Sequence, residues 1–115
     1  MTLGYRTTQP TRDEIDQSEG FTVLQFGTNW CGYCRAAERV IEPVLAGVPH
    51  VRRIKAEDGR GRPLGRSYHI KLWPTLIFLR DGQEVARVVR PESRQPVESA
   101  VDELTRERTE PQESQ

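Results

Sequence analysis

The sequence predicts an α/β fold in which one sheet is covered by helices on both faces, and three observations predict it. Helix-period and strand-period apolar patterns alternate along the chain. The continuous run Leu76-Ile77-Phe78-Leu79 suits a central strand buried on both sides. Asp81-Gly82 stands between two apolar segments, where positive φ values would close a type I′ hairpin and add one antiparallel pair.

Each element follows from local chemistry. Residues 1–10 read as an N-terminal arm, or a short edge strand around Leu3–Arg6. Thr11 and Glu14 have the spacing of a capping box, so a short helix covers roughly 11–18 and Gly20 ends it. Phe21 to Phe26 is a mostly buried strand, and Gly27 to Trp30 turn the chain. From Cys34 the apolar residues Ala37, Ile41, Val44, Leu45 and Val48 mark one helix face, interrupted by Pro43, which should kink it. A strand over Val51–Ala56, a loop over Glu57–Leu64 and a short helix over 64–69 follow. Glu84–Val89 is the strand returning from the hairpin. Val97, Ala100, Val101 and Leu104 form the inner face of a last helix, with Asp102 spaced to pair with Arg106. The polar segment 105–115 is expected to be a disordered tail, leaving 11–104 as one domain. No internal repeat is visible.

Composition narrows the function. Leu, Ile, Val and Phe total only 26 of 115 residues, so the core must be small and concentrated. No apolar stretch is long enough for a membrane span, and the first ten residues lack the apolar region of a secretory signal. The formal charge is zero, from 17 basic and 17 acidic residues, although segment 51–94 alone carries eleven basic against five acidic. That basic stretch is broken by Glu57 and Asp58 and has no aromatic platform, so a solvated face is expected there rather than a nucleic-acid site. Neither nucleic acid nor a membrane is therefore an expected partner. No long apolar surface asks for a second copy, and a monomer is expected.

Two cysteines remain to be explained, in Trp30-Cys31-Gly32-Tyr33-Cys34. A bridge between them would close almost no loop and so would add little stability. Eighteen residues separate His50 from His69, too far apart to complete a zinc finger, and no metal site is expected. Both histidines read as surface or loop residues. Arg35 stands where covalent haem attachment needs a histidine. The remaining readings are a pair of inert thiols or a redox-active dithiol. Cys31 falls where a strand ends and a helix begins. Free N–H groups and the helix dipole there favour a thiolate, and Cys-X-X-Cys sites can lower a thiol pKa from about 8.5 to near 7. Cys34, one turn in and facing the apolar side, would stay protonated longer. The expected order is attack by Cys31, a mixed disulfide, then resolution by Cys34. Gly32 and Tyr33 between them help to set the redox poise.

Three landmarks in order, Trp-Cys-Gly-Tyr-Cys after a strand, Trp73-Pro74-Thr75 before the apolar strand, and the Asp81-Gly82 hairpin, resemble the thioredoxin superfamily over about 11–104. The resemblance implies a thioredoxin fold, with a central mixed sheet of four to five strands flanked by helices on both faces. It implies a cis Pro74 packed against the cysteines, with the backbone of Trp73 hydrogen-bonding an extended substrate segment beside Thr75. It also implies protein disulfides as substrates, a thioredoxin-reductase-like electron donor, and no cofactor beyond the Cys31–Cys34 disulfide. Trp30 and Trp73 are both expected beside that disulfide.

The departures from the family pattern are informative. Thioredoxins commonly carry Gly-Pro between the cysteines, whereas Gly-Tyr resembles some periplasmic disulfide isomerases. Thr75-Leu76 replace the glycine pair with which glutaredoxins hold glutathione. Gln25 stands where the family usually has a buried aspartate that moves the proton of the second cysteine, and Arg53 matches that aspartate's basic partner. Deprotonation of Cys34 is then expected to be slower, or to depend on water or on Glu38. Large Trp73 before the proline, and Arg90-Pro91 in place of a usual glycine, suggest a narrower choice of substrate. The leading expectation is a cytoplasmic reductant. The alternatives are an isomerase or oxidant in an oxidising compartment, and a non-catalytic binding module of the same fold.

Overall fold

The computed structural model describes residues 4–106. Within them the order is α1 (Arg12–Asp16), β1 (Phe21–Gly27), α2 (Gly32–Ala46), β2 (Arg52–Glu57), α3 (Pro63–Ser67), β3 (Thr75–Arg80), β4 (Gln83–Val89) and α4 (Arg94–Thr105). The four strands form one sheet in the order β2-β1-β3-β4. β1 and β2 are parallel, while β3 runs antiparallel to both β1 and β4. The expected edge strand at the N-terminus contracts to a single bridge, Arg6 to Ala56, closed by Arg6 N to Lys55 O at 3.0 Å and Glu57 N to Arg6 O at 2.9 Å. The arm is thus tied to the outer edge of β2. The expected tail, from residue 107 onward, lies outside the described residues, as does Leu3.

Alternation along β1 and β3 divides the core. Val23, Leu76 and Phe78 pack with Ala37, Ile41 and Leu45 of α2 and with Val97, Val101 and Leu104 of α4. Leu24, Phe26, Ile77 and Leu79 pack on the other face with Ile15, Leu64 and Tyr68. The unbroken apolar run in β3 is therefore two interleaved sets, one for each face.

The ends of the elements explain where each begins and stops. Glu14 N reaches Thr11 Oγ1 at 3.1 Å while Thr11 N reaches Glu14 Oε1 at 2.8 Å, so the capping box forms on a helix of five residues. α2 passes through Pro43 without a break. Pro63 and Pro96 lie in the first turns of α3 and α4, where a backbone donor would have no intrahelical partner. The hairpin turns on Asp81 at φ 50° and Gly82 at φ 82°. Gly82 is required twice over, since a Cβ there would also lie 2.2 Å from the Asp16 carbonyl oxygen. Arg80 closes the other end, its guanidinium donating to the Leu104 carbonyl at 2.8 Å and the Glu103 carbonyl at 2.9 Å, at the negative end of α4. The expected Asp102–Arg106 pair does not form. Arg106 leaves the helix with ψ 130° and reaches back to Glu103 at 3.6 Å.

Candidate active site

The carboxyl end of β1 delivers the chain to Cys31 through the turn Thr28-Asn29-Trp30. Cys31 is the N-cap of α2, at φ −81° and ψ 122°, and its Sγ accepts from Cys34 N at 3.2 Å. A backbone donor and the positive end of α2 both face that sulfur and suit a negative charge on it. Both cysteines are buried free thiols, Cys31 nearer the surface at 8 % exposure and Cys34 at 2 %. Burial pushes the Cys34 thiol up to about 11, helped by its contact with Cys31, against the opposing pull of the Thr28 backbone amide and the Tyr5 hydroxyl. The two sulfurs are thus unequal. Cys31 is the accessible one, and Cys34 is held back as a thiol.

The outer rim collects the aromatic residues. Trp73–Pro74 is a cis peptide, and the buried proline sits before β3. Trp73 packs against the cluster of Tyr5, Cys31 and Cys34. Its indole donates to Asp58 Oδ2 at 2.9 Å and meets Trp30 edge to face at 5.7 Å, so both tryptophans flank the dithiol. Trp30 is 72 % exposed and Tyr33 62 %. Arg90 spans the rim at φ 48°, its guanidinium 3.8 Å above the Tyr33 ring and its Nε donating to the Trp73 carbonyl at 2.6 Å. A substrate strand approaching Trp73 therefore meets a carbonyl with one lone pair already engaged. Thr75, assigned to substrate contact from the sequence, is 2 % exposed and turns its hydroxyl inward to the Leu72 carbonyl at 2.6 Å. It shapes the proline loop rather than facing the groove. Gly32 opens α2 with free space around its Cα.

Behind Cys34 lies a polar network. Gln25 is completely buried, because its place in β1 puts it on the α2 face between Val23 and Gly27. Its Nε2 donates to Tyr5 Oη at 2.7 Å and to Glu38 Oε1 at 3.3 Å, and its Oε1 accepts from Arg53 at 2.9 Å. Glu38 Oε2 accepts from Arg53 at 2.6 Å and Oε1 from Lys55 at 3.3 Å. Burial disfavours the Glu38 carboxylate, but Arg53, Lys55 and Gln25 outweigh it and hold the carboxyl below its ordinary range. Burial likewise lowers Lys55 against the attraction of Glu38. Glu38 is an ion-pair partner here, poorly suited to accept a proton. Arg53 extends the pair to Glu42.

Sequence reasoning missed Tyr5, Lys55, Gly27 and Asp58. Lys55 was placed on a solvated basic face, yet it is 7 % exposed, paired with Gln25 in the β1–β2 register and lying 4.5 Å from the Tyr5 ring. No local pattern marks it, because its place beside Gln25 follows from the β1–β2 register. Tyr5 enters from the arm, its backbone N donating to Asn29 Oδ1 at 2.7 Å. Gly27 is the floor of this site, since a Cβ there would lie 2.5 Å from Cys34 Sγ and 2.8 Å from Tyr5 Oη. His50 and His69 are exposed. Among the described residues no group of three or more His, Cys, Asp or Glu is arranged to hold a metal.

A helix-capping thiol with a second thiol one turn behind it, beside a cis-proline loop, defines a thiol–disulfide exchange protein. A family model described as Thioredoxin matches residues 5–103, and the chain belongs to that family. A thioredoxin of Chlamydia pneumoniae is 36 % identical over 72 residues, covering 63 % of this chain and 71 % of that one. A thioredoxin of Chlamydia trachomatis is 37 % identical over 73 residues, with 63 % and 71 % covered. The solved structure of thioredoxin 2 from Pseudomonas aeruginosa PAO1 in its reduced form is 51 % identical, with a TM-score of 0.82 over 90 % of this chain and 96 % of that chain.

The geometry performs the family's reaction in two steps. The Cys31 thiolate attacks one sulfur of a protein disulfide, forming a mixed disulfide and releasing the other sulfur as a thiolate that takes a proton from water. Cys34, deprotonated, then attacks Cys31 Sγ. The Cys31–Cys34 bond forms, the mixed disulfide breaks, and the substrate leaves as a dithiol, two electrons richer.

Proposed function

We propose that the chain works in the cytoplasm as a monomeric reductant of protein disulfides, recharged by a thioredoxin-reductase-like donor. The observation that carries this reading is the inequality of the two thiols. Cys31 caps α2 nearer the surface while Cys34 waits protonated behind it, an order suited to attack and then release. A pair of cysteines confined to the exchange site is also what a reducing compartment permits. Titration of the dithiol against glutathione or dithiothreitol tests the direction of electron flow. A potential near about −270 mV agrees with a reductant, and one in the range of roughly −180 to −120 mV turns the reading to an isomerase or oxidant. The Gly32-Tyr33 pair, similar to that of some disulfide isomerases, favours that second reading. Recharging is tested by NADPH consumption with a thioredoxin reductase, and the monomer by sedimentation.

The rim bears on substrate choice. Trp73 and the Arg90 guanidinium narrow the approach to Cys31, which supports selectivity for disulfides that present a slender extended segment. Similar reduction rates for insulin and a panel of unrelated protein disulfides would remove this part of the proposal.

A further inference from the structure

We propose that the Tyr5 hydroxyl, oriented by Gln25, is the hydrogen-bond donor that carries Cys34 through its thiolate state when the mixed disulfide is resolved. The inference deepens the exchange reading and rests on it. The geometry starts from Gly27. Cys34 Sγ and Tyr5 Oη converge on the space that a side chain at this position would fill. Tyr5 is 7 % exposed, held by its backbone bond to Asn29, and its ring lies beneath the Lys55 ammonium. Gln25 Nε2 donates to the phenol oxygen at 2.7 Å, occupying an acceptor site there. A phenol has one proton to give, and with Gln25 as donor that proton is left for the sulfur, which meets the hydroxyl at Gly27. Gln25 cannot titrate, and Glu38 is tied to Arg53 and Lys55. Neither is a suitable base, so a hydrogen bond that stabilises the anion is what the site offers.

The titratable and charged groups around Cys34 are Tyr5 from the arm, Cys31 at the cap of α2, Arg35 and Glu38 of α2 and Lys55 of β2 along the same cavity, with Arg53 behind Glu38. Gly4, Tyr5, Thr28, Asn29, Cys34, Glu38 and Lys55 are among the residues around a cavity of about 260 Å³, large enough for water. The buried Thr28 hydroxyl has no protein partner among the described residues. The step balances through this cavity. Cys34 gives its proton to water, the thiolate held by Tyr5 attacks Cys31 Sγ, the Cys31–substrate bond breaks, and the leaving thiolate is protonated by solvent. Tyr5 begins and ends as a neutral phenol.

Tyr5→Phe keeps the ring, the contact with Lys55 and the fit against Gly27 while deleting only the hydroxyl. The expected result is a resolving step slowed roughly ten- to a hundredfold, the scale of a hydrogen bond to a charged group, with its pH profile moved to higher pH. Attack by Cys31, followed through tryptophan fluorescence, keeps its rate. The Cβ chemical shift of isotopically labelled Cys34 in the reduced full chain should titrate at higher pH than in the parent. Because that titration needs no turnover, it reads Tyr5 even if the protein fails to reduce any disulfide. Site-specific 3-fluorotyrosine at position 5, a more acidic hydroxyl of nearly the same shape, should shift the Cys34 titration the other way, and it serves if the Phe variant does not fold. An unmoved Cys34 titration in either variant overturns the proposal. So does an equal loss in the attack and resolving steps, which would make Tyr5 a structural residue only.

Discussion

The two sides of the dithiol are built on opposite terms. The outer rim, Trp30, Tyr33, Trp73 and Arg90, is mostly aromatic, with Trp30 and Tyr33 exposed and the other two half-buried, and is joined by an edge-to-face contact and a cation–π contact. The inner side, Tyr5, Gln25, Glu38, Arg53 and Lys55, is polar and enclosed, each member bonded to at least one other. Charged contacts in water contribute little to stability, whereas an unpaired buried polar group costs its full desolvation. The rim can therefore vary with the partner at small cost. The inner network is coupled, because Gln25, Glu38 and Arg53 each bond at least two of the others, so losing one of them loosens several bonds at once.

The largest effect should come from the sulfurs, where the two sides meet. Cys31→Ser should lower protein-disulfide reduction by at least about 10³-fold, since no covalent intermediate can form. Cys34→Ser should instead accumulate a mixed disulfide with the substrate, seen by mass spectrometry under non-reducing conditions. Equal trapping by both variants would undo the division between attacking and resolving thiols.

The inner side should fail next, as stability. Gly27→Ala places a methyl group against Cys34 Sγ and Tyr5 Oη and should cost about 1–3 kcal/mol of overpacking, read from the urea midpoint. Glu38→Gln removes the carboxylate that Arg53 and Lys55 share and should cost about 1–3 kcal/mol near neutral pH. The sign with pH follows from the lowered Glu38 carboxyl. A folded-state pKa below the unfolded one gives stability that is present above about pH 4.3 and lost as pH falls through the folded value. The gap between parent and variant should thus stay constant at neutral pH and close in acid. A gap unchanged down to pH 3 would mean that the ion pairs do not hold this network.

The same contrast decides what could be read in advance. The rim came almost entirely from contiguous residues, because a Cys-X-X-Cys turn and an X-Pro-Thr loop carry their geometry in neighbouring positions. Apolar periodicity likewise placed every strand and helix to within a few residues, since each element's pattern is local. The inner network joins four separate pieces of chain, the arm, β1, α2 and β2. Tyr5 looked like part of a loose arm, and Lys55 looked like one more charge on a basic stretch. Only the parallel register that sets Gln25 beside Lys55, with the arm bridged outside β2, brings them together. Gly27 was seen as a turn residue, although its reason is the sulfur above it.

The smallest effect should come from the rim, and it should appear in selectivity rather than in stability. Arg90→Ala removes the guanidinium from Tyr33 and returns a lone pair of the Trp73 carbonyl to any incoming strand. An exposed cation–π contact is worth about 0.5–1 kcal/mol, so the melting temperature should move by only a few degrees. Reduction rates across a panel of protein disulfides should draw closer together, with the slowest substrates gaining most. The Trp30–Trp73 pair reports on the same region directly, because these are the only tryptophans and both flank the dithiol. Their fluorescence should change between the oxidised and reduced forms in parent and variant alike. If Arg90→Ala destabilised the fold as much as Glu38→Gln, the rim would be structural, and the contrast between an adaptable outer side and an obligatory inner one would fail.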